Sequence, residues 1–490
     1  MITMKTIKYI TGAILLGITL TFTSCYDMDL FPKTQLGPDN FWKTERDIQM
    51  GLTGVYAQMK QGSKDWTMFL LDGITDDAYC QHVVQSPYNN LQLGNIEAAT
   101  GGPVSSIYSG NYSGISACHT FLKNFEQAKI SAGLTESKAN EYEAEIRFLR
   151  AWCYFELLQK YGDIPLYKEA IESVEASKVK QSPASEVYQF IYQDLEFAVQ
   201  HLPNVAYGSG HAVKASAQGL MARVALFEGK WDIVEKQTTD IISSGFYRLA
   251  DTYESIFIKK RGQKSNPEIL FSVTYLNPDY RHNAEQEYYF RNALSPLDDL
   301  MDQYDFTKDK RAKAWYVYPG VGEREWTNPM GEIVRTGNST ITGWTCIKHL
   351  DKDDPEIYEK GEYDFRTDND IIVIRYADIY LMYIEAMVEK SGGTTSDANA
   401  VRFFNQIKER AGLEPVTSVT RDELRLERRR ELAFEGRRYF DLIRWKTVKE
   451  VMSNLVTPSG QCTFNDKAYT WPFPQSEMDI NPNLDQKTVY

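Results

Sequence analysis

Residues 141–165, EYEAEIRFLRAWCYFELLQKYGDIP, decide the fold. In helical steps Tyr142, Ile146, Leu149 and Cys153 form one apolar line, and Phe148, Trp152 and Phe155 form a second beside it. A helix with two apolar lines needs cover on two sides. Ala144 and Ala151 let a neighbouring backbone come close, Arg147 and Arg150 can lay alkyl stems over apolar surface, and Gly162 followed by Pro165 stops the helix. A buried helix of this kind suits a stacked helical array; on this stretch alone, a core helix of an ordinary all-α domain is the alternative.

The pattern returns downstream. Lys214 to Phe227 puts Ala217, Leu220, Met221 and Val224 on helical spacing, Gly229 turns the chain, and Trp231 to Ile242 supplies the partner helix. Asp370 to Lys390, a turn at Gly392 and Gly393, and Asp397 to Arg410 repeat the pair. Small residues on the inner face, a glycine turn and an aromatic opening the second helix suggest tetratricopeptide-like packing without a strict 34-residue period. Further helices are predicted over Thr44–Lys60 from a Thr44/Asp47 cap, over Ser106–Phe125, and from Pro183 to about His201. Thr420 and Glu423 cap a helix running through Glu435, with Arg437–Trp445 as its sequel.

Two stretches, 61–105 and roughly 248–370, break this periodicity with glycine, proline and many aromatics. Only Ile269–Tyr275 reads as a short strand, and the end of the chain, 471–484, reads as an extended, proline-punctuated tail. The expected organisation is therefore a mainly α, repeat-like scaffold: a leader over 1–24, an N-terminal part over 25–245 containing the 61–105 insertion, and a C-terminal part over 246–490. The latter holds the irregular lobe 248–370, helical repeats over 370–445 and the tail.

The leader has Lys5 and Lys8 before an apolar run from Tyr9 to Phe22, then Thr23 and Ser24 before Cys25. That run is short for a permanent span. Small residues directly before a cysteine resemble a bacterial lipoprotein cleavage site, making Cys25 the acylated first residue of the mature chain; simple secretion is the alternative. The net charge of −13 becomes −15 once the two leader lysines are gone, which argues against generic binding to nucleic acid or anionic membrane. Five cysteines remain, scattered and without a CxxC pair, so buried free thiols are expected.

Between Arg421 and Lys446 nine Lys/Arg face six Asp/Glu. Their order pairs Arg428 with Glu431, Glu435 with Arg438, Asp441 with Arg444, and Arg437 with Asp441, a structural lattice of ion pairs along the helix.

Several passages together resemble one family. ERRRELAFEGRRYFDLIRW (427–445), IRYADIYLMYIEAM (374–387) and WPFPQSEMDINPNL (471–484) resemble the C-terminal segments of SusD/RagB proteins. FWKTERDIQMGLTGVYAQM (41–59) and RFLRAWCYFELLQKYGDIPL (147–166) resemble the N-terminal ones. Asp378 stands where glutamate is usual, and His119 where asparagine is usual. The resemblance implies a protein anchored through Cys25 in outer-membrane lipid and facing the cell exterior. It also implies capture of a nutrient and delivery to a SusC-like TonB-dependent transporter. Cargo-binding residues do not transfer from these scaffold motifs.

No HxxxH, HExxH, GxSxG or GxxxxGK[ST] pattern occurs, so binding ranks above catalysis, and no metal or cofactor is expected. The acidic run Asp351, Asp353, Asp354 and Glu356 reads as a solvated loop. A sugar ring has an apolar C–H face and a hydroxyl rim, which an aromatic plane beside Asp, Asn or Arg can meet. The cargo is therefore expected to be a glycan, with peptide capture as the alternative and glycoside hydrolysis third. Trp66, Tyr88, Trp315, Trp326 and Trp344 are the stacking candidates, with Asp76 and Asn90 as hydrogen-bonding companions, on the expectation that the two irregular stretches meet on one face.

Overall fold

The computed structural model describes residues 41–490 except 63, 82–85, 209, 285–292, 318–324, 328–332, 336–340 and 352–365. The leader, Cys25 and the tether after it lie outside the described residues. Thr44 accepts from the Asp47 N–H while the Asp47 carboxylate accepts from the Thr44 N–H, and this reciprocal cap starts α1, Glu45–Gln58. Then come α2 (Pro103–Ser131), α3 (Glu136–Tyr161), α4 (Ala184–His201), α5 (Lys214–Glu228) and α6 (Trp231–Ser243). After the long second insertion the array resumes with α7 (Tyr376–Lys390), α8 (Ala398–Ala411), α9 (Arg421–Leu432) and α10 (Arg438–Arg444). From α1 to α8 each helix packs on the one before and the one after, and α6 meets α7 across the insertion. That nearest-neighbour stacking is the signature of a helical-repeat scaffold.

Helix α3 is enclosed more completely than two-sided cover requires, since every side chain from Phe148 to Tyr161 is buried. Its third side is closed by strand β2 of the insertion, whose Phe271 meets Phe148 and Trp152 edge-on at 4.8 and 5.5 Å. Charges caught inside are paired: both oxygens of Asp194 accept from Arg150 at 2.8 Å, and Lys160 donates to Glu156 at 2.8 Å. Without those partners the buried ions would be strongly destabilising.

The strands that matter here are β1 (Ala78–Tyr79), β2 (Ile269–Val273), β3 (Ser295–Pro296) and β4 (Ile371–Arg375). Strand β4 corrects the expectation of helix from Asp370 onward. Its β-branched run Ile-Ile-Val-Ile is fully buried and pairs antiparallel with β2, Ile371 opposite Val273 and Arg375 opposite Ile269, so the helix begins only at Tyr376. A second correction concerns 61–105. Residues 68–80 are all buried, arranged as a 3-10 helix (Trp66–Ile74) and β1, so this part of the stretch is a core element and not a surface loop. Strand β1 pairs antiparallel with β3, Tyr79 opposite Ser295, which joins the two irregular stretches to each other.

The lattice around α9 exists, but its pairs are mostly not the intrahelical ones the spacing suggests. Of those four, Asp441–Arg444 at 2.9 Å forms; the other charges reach across elements. Glu431 accepts from Arg311, Arg375 and Arg410, Glu435 from Arg375 and Lys348, and Arg428 bridges Asp378 and Asp441. Helix α9 also stops at Leu432, short of Glu435, because the chain turns into left-handed backbone at Phe434 and Gly436. Gly436 fits tightly there: its N–H donates to Asp72 at 2.8 Å, and a Cβ would stand 2.6 Å from the Met68 carbonyl oxygen. The five cysteines of the described residues are buried free thiols. Asp351, expected in a solvated loop, is buried and paired with Arg261 at 3.0 Å, while the rest of that acidic run lies outside the described residues.

Candidate functional site

Strand β2 delivers the chain to the surface at Tyr275, and a short loop follows. Leu276 and Tyr280 exchange backbone hydrogen bonds at 2.8 and 2.7 Å, closing a turn through the cis Asn277–Pro278 peptide. The loop is fixed from behind. The Tyr275 N–H donates to Asp370 at 3.0 Å, and Lys259 donates to Asp370 at 3.1 Å and to the Tyr275 carbonyl. His282 donates to the Asn369 carbonyl at 2.8 Å and packs edge-on against Tyr275 at 4.5 Å. The consequence is an aromatic display: Tyr275 is 7% exposed and serves as a floor, whereas Tyr280 at 61% and Leu276 at 59% stand out into solvent. Lys60, two residues past the end of α1, places its ammonium 4.3 Å from the Tyr275 ring centre and 4.9 Å from that of Tyr280.

Across from this loop stands Trp66, half-buried at the start of the 3-10 helix, which Asp65 caps by accepting from the Thr67 N–H at 3.0 Å. Trp66, Tyr275 and Tyr280 line one open cleft of about 500 Å³, together with Lys60, Asp65, Asp279, Arg281 and Arg366. Beyond Tyr280 the groove continues as a second cleft of about 230 Å³, which shares Lys60, Tyr275 and Tyr280 and adds Tyr56, Leu276 and part of β2. The two clefts adjoin through Lys60, Tyr275 and Tyr280 and together form a trough lined by aromatic and charged side chains.

Burial tunes the groups around it. It pushes the Asp65 carboxyl up, against the Thr67 hydrogen bonds and nearby Lys64 that favour the anion. It lowers the Lys60 ammonium, with Asp370 acting in the opposite sense. His282 is held down to about 4 by burial, against the hydrogen bond to Asn369, so its imidazole is neutral at pH 7. Among the described residues no group of three or more His, Cys, Asp or Glu is placed to hold a metal.

Two family profiles match consecutive parts of the chain. One, described as "SusD family", matches residues 274–490, and the other, described as "Starch-binding associating with outer membrane", matches residues 34–226. The chain belongs to the SusD/RagB family. A SusD-like protein of Formosa agariphila, P2, is 27% identical over 95% of this chain and 97% of its own length. The starch-binding protein SusD of Bacteroides thetaiotaomicron is 23% identical over 73% of this chain and 74% of its own. Among solved structures, a SusD-like protein of Bacteroides fragilis superposes with a TM-score of 0.79 at 24% identity, covering 93% of this chain and 99% of that one. A surface glycan-binding protein from Bacteroides thetaiotaomicron, solved with laminarihexaose, gives 0.70 at 20% identity, with 90% and 99% covered. These structures share the SusD-like fold.

In this SusD-like chain the expected site residues are not all together. Trp66 lines the cleft. Trp315 does not: it is 1% exposed, with Tyr253 edge-on at 5.0 Å and the Lys348 ammonium 3.9 Å over its ring, so its faces belong to the core. Asp76 is buried as the counter-ion of Arg438 and Arg429, at 2.7 and 3.0 Å, and those guanidiniums hold its carboxyl at about 2 despite burial. Tyr88 is buried in the short helix Ser86–Gln92, and Asn90 is exposed on the same helix. Trp344 stacks on Phe306 at 5.3 Å and donates its indole N–H to Asp298 at 2.8 Å. Trp326 sits in a strand, Glu325–Thr327, paired with Ile333–Arg335, and its side chain lies outside the described residues. Tyr275, Tyr280 and Lys60 were not singled out as site residues by sequence. The signal for Tyr280 was an aromatic at the end of an Asn-Pro-Asp turn directly after a strand, a position that has no core to pack into.

Proposed function

We propose that this protein captures glycans in the trough built around Tyr280 and delivers them to a SusC-like TonB-dependent transporter of the outer membrane. The observation that carries the reading is the solvent-facing Tyr280 ring, which lines one cleft with Trp66 and Tyr275 and with charged and amide side chains. Aromatic faces meet the apolar side of a sugar, and the polar neighbours meet its hydroxyls. Relatives support the cargo class: one neighbour is described as laminarin-binding, another was solved with laminarihexaose, and SusD itself is a starch-binding protein. Peptide capture by the same scaffold is the competing reading, and glycoside hydrolysis the third.

Calorimetry on a panel of oligosaccharides is the direct test. Tyr280→Ala and Trp66→Ala are expected to weaken binding by about 2 kcal/mol each, the scale of a central aromatic anchor, while Trp344→Ala at a ring already stacked on Phe306 should leave affinity unchanged. If both cleft variants bind like wild type, the site is elsewhere; product release would indicate hydrolysis, and tight peptide binding with none to glycans would indicate the peptide reading.

Anchoring is proposed at Cys25, with the mature chain on the outer face of the outer membrane. Several acyl chains, each contributing about 0.8 kcal/mol per buried CH₂, hold a protein at a membrane where one chain is marginal. Cys25→Ala is expected to move the protein from the membrane to the soluble fraction or to block its processing. Lipid labelling that persists in that variant rejects the assignment.

A further inference from the structure

We infer that the glycan taken by this trough is acidic, bearing carboxylate or sulfate groups that Arg281 and Arg366 engage beside the Tyr280 ring. The inference rests on the glycan reading above and specifies the chemistry of the cargo. In this protein buried guanidiniums are generally supplied with carboxylates. Arg311 alone meets three, Arg375 three, and Arg428 two.

Among the described residues Arg281, half-buried, and Arg366, exposed, have no such partner, and both stand at the cleft that holds the aromatic rings. The Arg281 Nε is buried without a hydrogen-bond partner, and neither arginine forms an ion pair among the described residues. Both line the cleft that holds Trp66 and Tyr280, and Lys60 is the third cation there. The Nε atoms of Arg223, Arg410 and Arg425 are also unpartnered away from the cleft, so what marks Arg281 is its place beside the Tyr280 ring, next to Arg366 and Lys60, with no carboxylate of the described residues on its guanidinium.

Among the described residues, the two acids that line the same cleft form no ion pair with these cations. Asp65 is committed to capping Thr67, and burial raises its carboxyl. Asp279 is exposed at the rim and carries no ion pair with either arginine. The chain as a whole carries −13, so a general positive field does not account for the cluster. A planar guanidinium matches the paired oxygens of a uronate carboxylate or a sulfate ester, and the adjacent aromatic face fixes the ring that bears it.

The test uses the mature chain titrated with oligogalacturonate, its fully methyl-esterified form, a sulfated galactan oligosaccharide, and neutral laminari- and xylo-oligosaccharides. An acidic oligosaccharide is expected to bind most tightly, with affinity falling as sodium chloride rises. The carboxylated and sulfated probes show which anion is preferred. Arg281→Gln and, separately, the exposed Arg366→Gln are expected to weaken acidic binding by about tenfold, the scale of a lost charge-assisted contact, at an unchanged melting temperature. Esterification of the carboxylates should have the same effect on the wild type. A neutral oligosaccharide bound as tightly as any acidic one, without salt dependence, overturns the inference and leaves the glycan reading standing. Failure to bind any oligosaccharide, or preference for acidic peptides over every glycan, overturns both.

Discussion

Glu431→Ala is expected to be the most damaging single substitution in the scaffold. This carboxylate is fully buried; one oxygen accepts from Arg375 at 2.8 Å and Arg410 at 2.6 Å, and the other accepts from Arg311 at 3.0 Å. Those three arginines come from the end of β4, the end of α8 and the middle of the second insertion, so one side chain on α9 ties four parts of the chain together. Its removal takes away three charge-assisted hydrogen bonds where water cannot replace them, a loss of about 3–5 kcal/mol on the scale of broken buried ion pairs. That is a large share of the ~5–15 kcal/mol that holds a typical domain together. Glu423→Ala on the same helix offers a calibration, because it removes only an exposed reciprocal cap with Thr420 and should cost about 1 kcal/mol. Glu431 does not line the cleft, so affinity per folded molecule should be unchanged. Denaturant titration of both variants checks the ranking; near-wild-type stability of Glu431→Ala would mean that the lattice is dispensable.

The lattice also marks the limit of what sequence could disclose. Helix α3 was readable because two apolar lines and the stop at Gly162 are local signals. The paired helices at 214–243 and 376–411 followed from the same periodicity, except that the second pair was expected to start at Asp370, where the buried strand β4 stands instead. Partners for the α9 charges were misassigned because i,i+3 and i,i+4 neighbours are the only ones a sequence displays. Arg311 lies over a hundred residues from Glu427 and Glu431, and nothing local marks it as their counter-ion. The same blindness affected the site. Trp315 and Trp66 are alike in composition and context, each in an aromatic-rich irregular stretch; which ring faces solvent is decided by Tyr253 and Lys348 closing over Trp315 and by the open cleft beside Trp66. Asp76 looked like a loop acid, yet it is a counter-ion to α9 and α10. The family motifs report the ion-pair lattice and helix packing of the scaffold, whereas the cleft residues at 275–281 fall between them.

Acidification is expected to weaken the fold in two successive stages, the first set by histidines and the second by carboxylates. His119 and His282 are buried and His349 is half-buried, packed on Phe69 and Phe257; desolvation lowers their folded values to about 4, about 4 and about 3, against 6.5 when unfolded. Their hydrogen bonds show why the neutral form is kept. Each ring donates one N–H to a backbone carbonyl, Tyr167, Asn369 or Phe434, and His119 presents its other nitrogen to Arg150, which a second proton would repel. The unfolded chain takes up these protons first, so the stability they contribute is complete above pH 6.5 and drains away as pH falls toward 4. Each contributes on the order of 3 kcal/mol over that interval, since a tenfold bias between protonation states is about 1.4 kcal/mol. His211 works against the trend, because its hydrogen bond to Glu145 raises its value, but it is a single, partly exposed group. Below pH 4.5 the carboxylates take over. Neighbouring cations hold Glu431 and Glu435 at about 2 against 4.5, and Asp76 at about 2 against 3.8, so their contribution is intact above the unfolded values and is lost as pH falls toward 2. Melting temperature should therefore decline from about pH 6.5 and fall again below about pH 4.5. His349→Gln, which can still donate to the Phe434 carbonyl, should flatten the first stage, although it gives up the stack on Phe69 at 4.1 Å and so starts from a lower melting temperature. A melting temperature that stays constant between pH 7 and pH 4.5, or a first stage that His349→Gln leaves equally steep, would show that these histidines do not set this response.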